Sequence, residues 1–134
     1  MTVQRCEVPI PPSANEMLMP LKTKTGRVFM AKTTKYKHWI EAAGMLMRVG
    51  MERVVTMPVS VRVEIRGGDG FPLRRDLDNC LKPMIDSLRA ALILPNDRVT
   101  EVRSLSAEYF PAVDKTLPAT CTVVVEQLTE GLFG

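Results

Sequence analysis

The chain has 134 residues, of which 46% are hydrophobic and 25% charged, with a formal net charge of +3. At that length one domain over residues 1–134 is expected, large enough to bury a core without disulfide or metal staples. Mean hydropathy is +0.02, no apolar run approaches the ~18 residues that cross a bilayer, and the N-terminus has no apolar signal core, so the expectation is a cytoplasmic protein with no membrane partner. Cys6, Cys80 and Cys121 lack metal-ligand spacing and read as small core residues in a reducing compartment.

In chain order, Thr2 to Val8 reads as a short strand stopped by Pro9, Pro11 and Pro12. Pro11-Pro12-Ser13-Ala14-Asn15 is a proline-rich turn. A Lys-Thr-Gly turn then leads into a brief strand over Arg27 to Met30. Thr33 or Thr34 caps a helix running to about Val49, with Tyr36, Trp39, Ile40, Ala43, Leu46 and Met47 on one side. The lone histidine, His38, sits beside that apolar face and is given no role. Between Glu16 and Glu41 there is no acid, whereas Lys22, Lys24, Arg27, Lys32, Lys35 and Lys37 are all basic. Such a block is either a solvated face or a surface for phosphate backbone.

From Pro58 the period changes to two: Val59, Val61, Val63 and Ile65 alternate with Ser60, Arg62, Glu64 and Arg66, the pattern of a strand with one dry face. A glycine loop, Gly67 to Pro72, follows. A second helix and two further strands, Val99 to about Tyr109 and Ala119 to Leu128, complete the chain. The order β-β-α-β-α-β-β predicts an α+β domain: a mixed or antiparallel sheet of four to five strands with two main helices packed on it.

The second helix carries the chemistry. Leu77, Leu81, Met84, Ile85, Leu88 and Leu92 form one apolar stripe, within about 80° at roughly 100° per residue. Asp78, Lys82 and Asp86, four apart, share the opposite flank. Asp76 and Asp78 would point about 160° apart on one continuous helix. They converge only if Arg74 to Asp78 is extended or turning into the helix. Pro83 also favours a helix start near Asp78 or Asn79, because a proline deeper inside would cost a backbone hydrogen bond. The reading is a corner entering a helix and displaying two carboxylates.

The run Arg74-Arg75-Asp76-Leu77-Asp78-Asn79, followed by Lys82, Asp86-Ser87-Leu88 and Asn96-Asp97, resembles the RusA family of Holliday junction resolvases. The Pro11 to Asn15 turn is similar to that family's N-terminal motif, and the likeness extends over nearly the whole chain. The chain departs from the pattern at Asn96, where a second acid often precedes the late aspartate. The resemblance implies a homodimeric endonuclease, bacterial or phage-encoded, that uses magnesium (with manganese as a substitute) to nick four-way branched DNA symmetrically in recombination and repair. By the same resemblance Asp76, Asp78 and Asp97 are the metal-binding acids, Lys82 is the catalytic lysine, and Asp86 and Asn79 support them.

Elementary chemistry is compatible with that assignment. Mg²⁺ prefers carboxylate oxygens and retains several waters, so three acids suffice. Lys82 would set a fixed charge near the phosphate, and Arg74 and Arg75 would hold neighbouring phosphates. Lys22, Lys24, Lys32, Lys35 and Lys37 would extend a basic DNA-binding surface. A C2 dimer would aim two sites at two equivalent strands. Leu128, Leu132 and Phe133 in the tail are interface or packing residues. Two other readings stand beside this one: a branched-DNA-binding protein without catalysis, and a D-x-D metal-dependent phosphotransferase, for which the glycine loop lacks a P-loop lysine pattern.

Overall fold

The computed structural model describes residues 3–55, 57–96 and 98–128. Its elements in order are β1 (Val3–Val8), β2 (Leu18–Lys22), β3 (Val28–Lys32), α1 (Thr34–Gly50), β4 (Val59–Arg66), α2 (Leu81–Ala90), β5 (Val102–Phe110) and β6 (Thr120–Gln127). The α+β class, the mixed sheet and the two helices are as the periodicity predicts. The addition is β2, which pairs with β3 in a separate two-stranded ribbon. Leu-Met-Pro-Leu-Lys does not alternate and has a proline at its centre, so period-two reasoning does not find it. Leu132 and Phe133 lie outside the described residues.

The main sheet has the order β1-β6-β4-β5. β6 runs antiparallel to both β1 and β4, whereas β4 and β5 are parallel. Parallel neighbours need a crossover, and the chain between them contains α2. Val59, Val61, Val63 and Ile65 of β4 are all fully buried. They form one core with Cys121, Val123 and Val125 of β6, with Tyr36, Trp39, Ala43 and Met47 of α1, and with Met84, Ile85 and Leu88 of α2. The other face of the sheet is polar. There Glu64 accepts from Arg5 Nη1 at 3.0 Å and from Arg62 Nε at 3.1 Å. Val124 stands in register between Arg5 and Arg62, whose aliphatic stems account for its burial on this wetter side.

Burial also raises the thiols: that of Cys121 is pushed up to about 12, first by desolvation and then by the neighbouring Cys80. All three cysteines are free and buried, so they are unreactive core groups at neutral pH.

The ends of the helices are set by local chemistry. Thr33 caps α1, its hydroxyl accepting the Tyr36 N–H at 3.1 Å. A short 3-10 turn over Leu77–Cys80 precedes α2, which puts Pro83 in the first helical turn, where a backbone N–H has no intrahelical partner to lose. Leu46 and Leu92, assigned to apolar faces by periodicity, are exposed. Leu92 leaves the stripe because α2 stops at Ala90 and Leu92 adopts φ 61°. Around it the Ile93 N–H reaches the Leu88 carbonyl at 2.9 Å and the Leu92 N–H reaches that of Arg89 at 3.0 Å. This is a Schellman closure with leucine in the left-handed position that glycine usually fills.

Leu92→Gly removes a left-handed leucine and no buried contact. It should raise the unfolding free energy by about 0.5–1 kcal/mol in urea titration, the relief outweighing glycine's entropy. A lower midpoint would mean that the Leu92 side chain stabilises the turn.

Candidate functional site

The loop after β4 is laced to the β5–β6 connection. Gly67 N–H donates to the Phe110 carbonyl, Asp69 N–H to that of Leu117, and Ala119 N–H to that of Asp69, each at 2.8 Å. A Cβ at Gly67 would fall 2.2 Å from the Tyr109 hydroxyl, and one at Gly68 would fall 2.5 Å from the Leu117 carbonyl, so neither position has room for a side chain. Phe71 is buried and stacks on Tyr109 with ring centroids 5.9 Å apart. The Arg75 guanidinium lies over Phe71 at 5.2 Å, and its Nη2 donates to the Pro12 carbonyl at 2.7 Å. Arg75 Nε is buried with no partner among the described residues. Trp39 Nε1 donates to the Pro9 carbonyl at 2.9 Å. Trp39 thus ties the chain just before the proline-rich turn to α1, and Arg75 ties the turn itself to the acidic corner.

A cleft of about 820 Å³ opens between them. Pro12, Ser13, Asn15 and Glu16 line one wall, Lys35 and Trp39 the floor side from α1, and Arg74, Arg75, Asp76 and Asn79 the other wall. Asp76 is extended (φ −76°, ψ 128°), so the chain does turn at the corner as expected. Asp78, on the 3-10 turn, lines a second depression of about 360 Å³ together with Leu81, Lys82, Ile85, Val102 and Leu105. The corner therefore displays two exposed carboxylates to two separate depressions, Asp76 to the one lined also by Arg74 and Asn79, and Asp78 to the one lined also by Lys82.

Neither carboxylate makes a side-chain hydrogen bond or ion pair with a described residue. Asp97 lies outside the described residues, and among those described no three His, Cys, Asp or Glu side chains form a metal-holding group. The donor chemistry at the corner still fits a hard cation, being carboxylate oxygen without a competing cationic partner.

Lys82 is anchored from below. Its Nζ pairs with Asp86 Oδ1 at 3.2 Å, and Asp86 Oδ2 accepts from the Tyr36 hydroxyl at 2.5 Å. Asp86 keeps only 10% of its side chain exposed, whereas Lys82 keeps 65%. The Tyr36 hydroxyl is held protonated, its pKa raised first by burial and then by the Asp86 carboxylate. Sequence reasoning assigned Tyr36 only to an apolar face. The available signal was its hydroxyl, since a buried tyrosine takes a hydrogen-bond partner.

The lysines are spread along the N-terminal part. Lys22 ends β2, Lys24 lies in the turn at the ribbon tip, Lys32 ends β3, and Lys35 and Lys37 are on the first turn of α1. Of these, Lys35 lines the cleft and pairs with Glu16. No helix among the described residues is long and apolar enough to cross a membrane. No protein-family model matches the chain, and no curated protein is found similar to it.

The Tyr36–Asp86 hydrogen bond should be worth about 1.5–3 kcal/mol, the range for bonds to charged groups. A double-mutant cycle with Tyr36→Phe and Asp86→Asn, followed by urea unfolding, should return a coupling of at least ~1 kcal/mol. Additive losses would make the two side chains independent.

Proposed function

We propose that the protein is a magnesium-dependent, structure-specific endodeoxyribonuclease that cuts four-way branched DNA as a homodimer, in the manner of the family its acidic run resembles. The observation that carries this reading is the corner itself: Asp76 and Asp78, exposed and unpaired with any described residue, stand between Arg74 and a Lys82 held by Asp86. Two free acids beside fixed cations are costly for a protein that only grips phosphate, because each carboxylate repels it. They are useful where a divalent cation is to be shared with the backbone. Manganese suits the same oxygen donors.

Asp76 and Asp78 would hold the ion, with Asp97 completing the set. The bound cation would polarise the phosphoryl oxygen and acidify an attacking water. The chain's own contribution is position. Asp86 limits where the Lys82 ammonium can go, so that its charge is available to the pentacovalent phosphate without first being reorganised. Arg74 is exposed at the cleft mouth and suits a flanking phosphate. Arg75 is occupied with Pro12 and Phe71, so its part in DNA contact is better read as holding the cleft open.

A second reading, a junction-binding protein without catalysis, draws support from the division of Asp76 and Asp78 between two depressions. A synthetic mobile junction incubated with Mg²⁺, with EDTA, and beside a linear duplex separates the two readings. Paired nicks in the junction alone, lost in EDTA, are expected. Asp76→Asn, Asp78→Asn and Asp97→Asn should each abolish nicking while binding stays equal or tightens. Lys82→Ala should slow single-turnover cleavage about 100-fold to 1,000-fold with little loss of affinity. Intact bound junction under all conditions would favour the second reading.

Junction affinity should also fall steeply with salt. Replacing Lys24 and Lys37 with Ala should flatten the slope of log affinity against log salt by roughly one unit per lost phosphate contact. An unchanged slope would make these lysines a solvated face only.

A further inference from the structure

Tyr36 is a buried titratable side chain that the proposed reaction does not use. It is only 2% exposed. Its backbone N–H donates to the Thr33 hydroxyl at 3.1 Å, and that hydroxyl in turn donates to the Glu16 carbonyl. Its ring stacks on Trp39, with centroids 6.4 Å apart and planes 18° off parallel. Its own hydroxyl donates to Asp86 Oδ2 at 2.5 Å. The ring is therefore a fixed post, set by the cap and the packed face of α1, with its polar tip on α2.

Asp86 needs such a post. The last torsion of an aspartate is broad and roughly two-fold, so an unheld carboxylate swings and offers its oxygens over a range of directions. Here one oxygen is taken by the phenol, and the other, Oδ1, faces the Lys82 ammonium at 3.2 Å. Lys82 ends a flexible stem and is 65% exposed, so the helix alone does not decide where its charge goes. Phenylalanine and leucine would fill the space of Tyr36 and Asp86 without desolvating a carboxylate. What the polar pair adds is a fixed acceptor for the lysine. Burial keeps the phenol protonated, so it remains a donor through neutral pH.

We propose that Tyr36 is a positioning residue for Lys82: its hydroxyl locks the Asp86 carboxylate, and the locked carboxylate fixes the ammonium beside the second depression, which Asp78 and Lys82 both line. Tyr36 itself, being buried, reaches neither phosphate nor metal. Its neighbour Lys35 lines the other cleft, so one turn of α1 serves both depressions. The placement of Lys82 is independent of what the site does, whereas the effect on cleavage rests on the nuclease reading.

Two measurements test this. Without DNA, nuclear magnetic resonance relaxation at Lys82 Cε and Nζ reports how tightly the ammonium is held. The wild-type order parameter should stand well above that of Lys24 at the ribbon tip, and Tyr36→Phe should lower it to the Lys24 range. On a synthetic mobile junction with Mg²⁺, Tyr36→Phe should slow single-turnover cleavage about 10-fold at unchanged junction affinity. In a Lys82→Ala background it should cause no further loss. An unchanged Lys82 order parameter in folded Tyr36→Phe overturns the proposal. So does an unchanged cleavage rate, or a rate loss of the same size with and without Lys82. A wild type that cuts no junction overturns the nuclease reading and leaves the relaxation result to decide the positioning. Should Tyr36→Phe fail to fold, Asp86→Leu is compared with Tyr36→Phe/Asp86→Leu, in which no lone buried carboxylate remains. The Lys82 order parameter should then fall equally in both. A further fall on removing the hydroxyl, or none in Asp86→Leu, overturns the proposal.

Discussion

The Arg75 guanidinium is the contact on which the arrangement of the site depends. It spans a gap of 63 residues in sequence to reach the Pro12 carbonyl, and it lies on the Phe71 ring at the same time. A lysine could make the hydrogen bond but not the flat stack, so the two functions together call for the planar fork. The loop beneath it is fixed by three 2.8 Å backbone bonds and by two glycines that cannot accept a Cβ. The contacts that place the acidic corner therefore lie outside its own acids.

Around that corner, α2 divides its labour by face. Met84, Ile85 and Leu88 anchor the helix in the core, which leaves Asp78 and Lys82 displayed at its entrance. Asp86 belongs to neither group. It is nearly buried, it takes a proton donor from α1, and it holds the lysine. A carboxylate in that position needs both partners to offset its desolvation. The cost tolerated at Asp86 is thus tied to the placement of Lys82. Asp76 and Asp78 are exposed and stay hydrated, so they need no such partners.

The β2–β3 ribbon follows a different economy. It keeps apolar side chains and an open edge in water, whereas the main sheet buries its dry face under two helices and pairs its central strands on both sides. Basic residues cluster at its tip and base. Its surface thus joins a hydrogen-bonding edge, apolar faces and peripheral cations.

The sequence by itself determined the class and most of the frame. The period-two run from Val59 to Ile65 could be buried only as a strand, and the stripe from Leu77 to Leu88 only as an amphipathic helix, because each pattern presents one continuous dry face in one conformation alone. It also placed the acids at a turning corner, since Asp76 and Asp78 diverge on any helix. Local patterns did not reveal β2, whose register depends on β3 and whose proline is tolerated only at a non-bonded edge position. They did not reveal the end of α2 at Ala90 either, because a left-handed Leu92 is favoured only by the Schellman bonds and the burial of Ile93 and Leu88. Tertiary structure alone decided that Asp76 and Asp78 serve two depressions, that Arg75 closes on Pro12, and that Tyr36 reaches Asp86 across 50 residues. Each of these is a contact between segments distant in sequence. Their geometry is set by how the two helices pack on the sheet, and no local period encodes that.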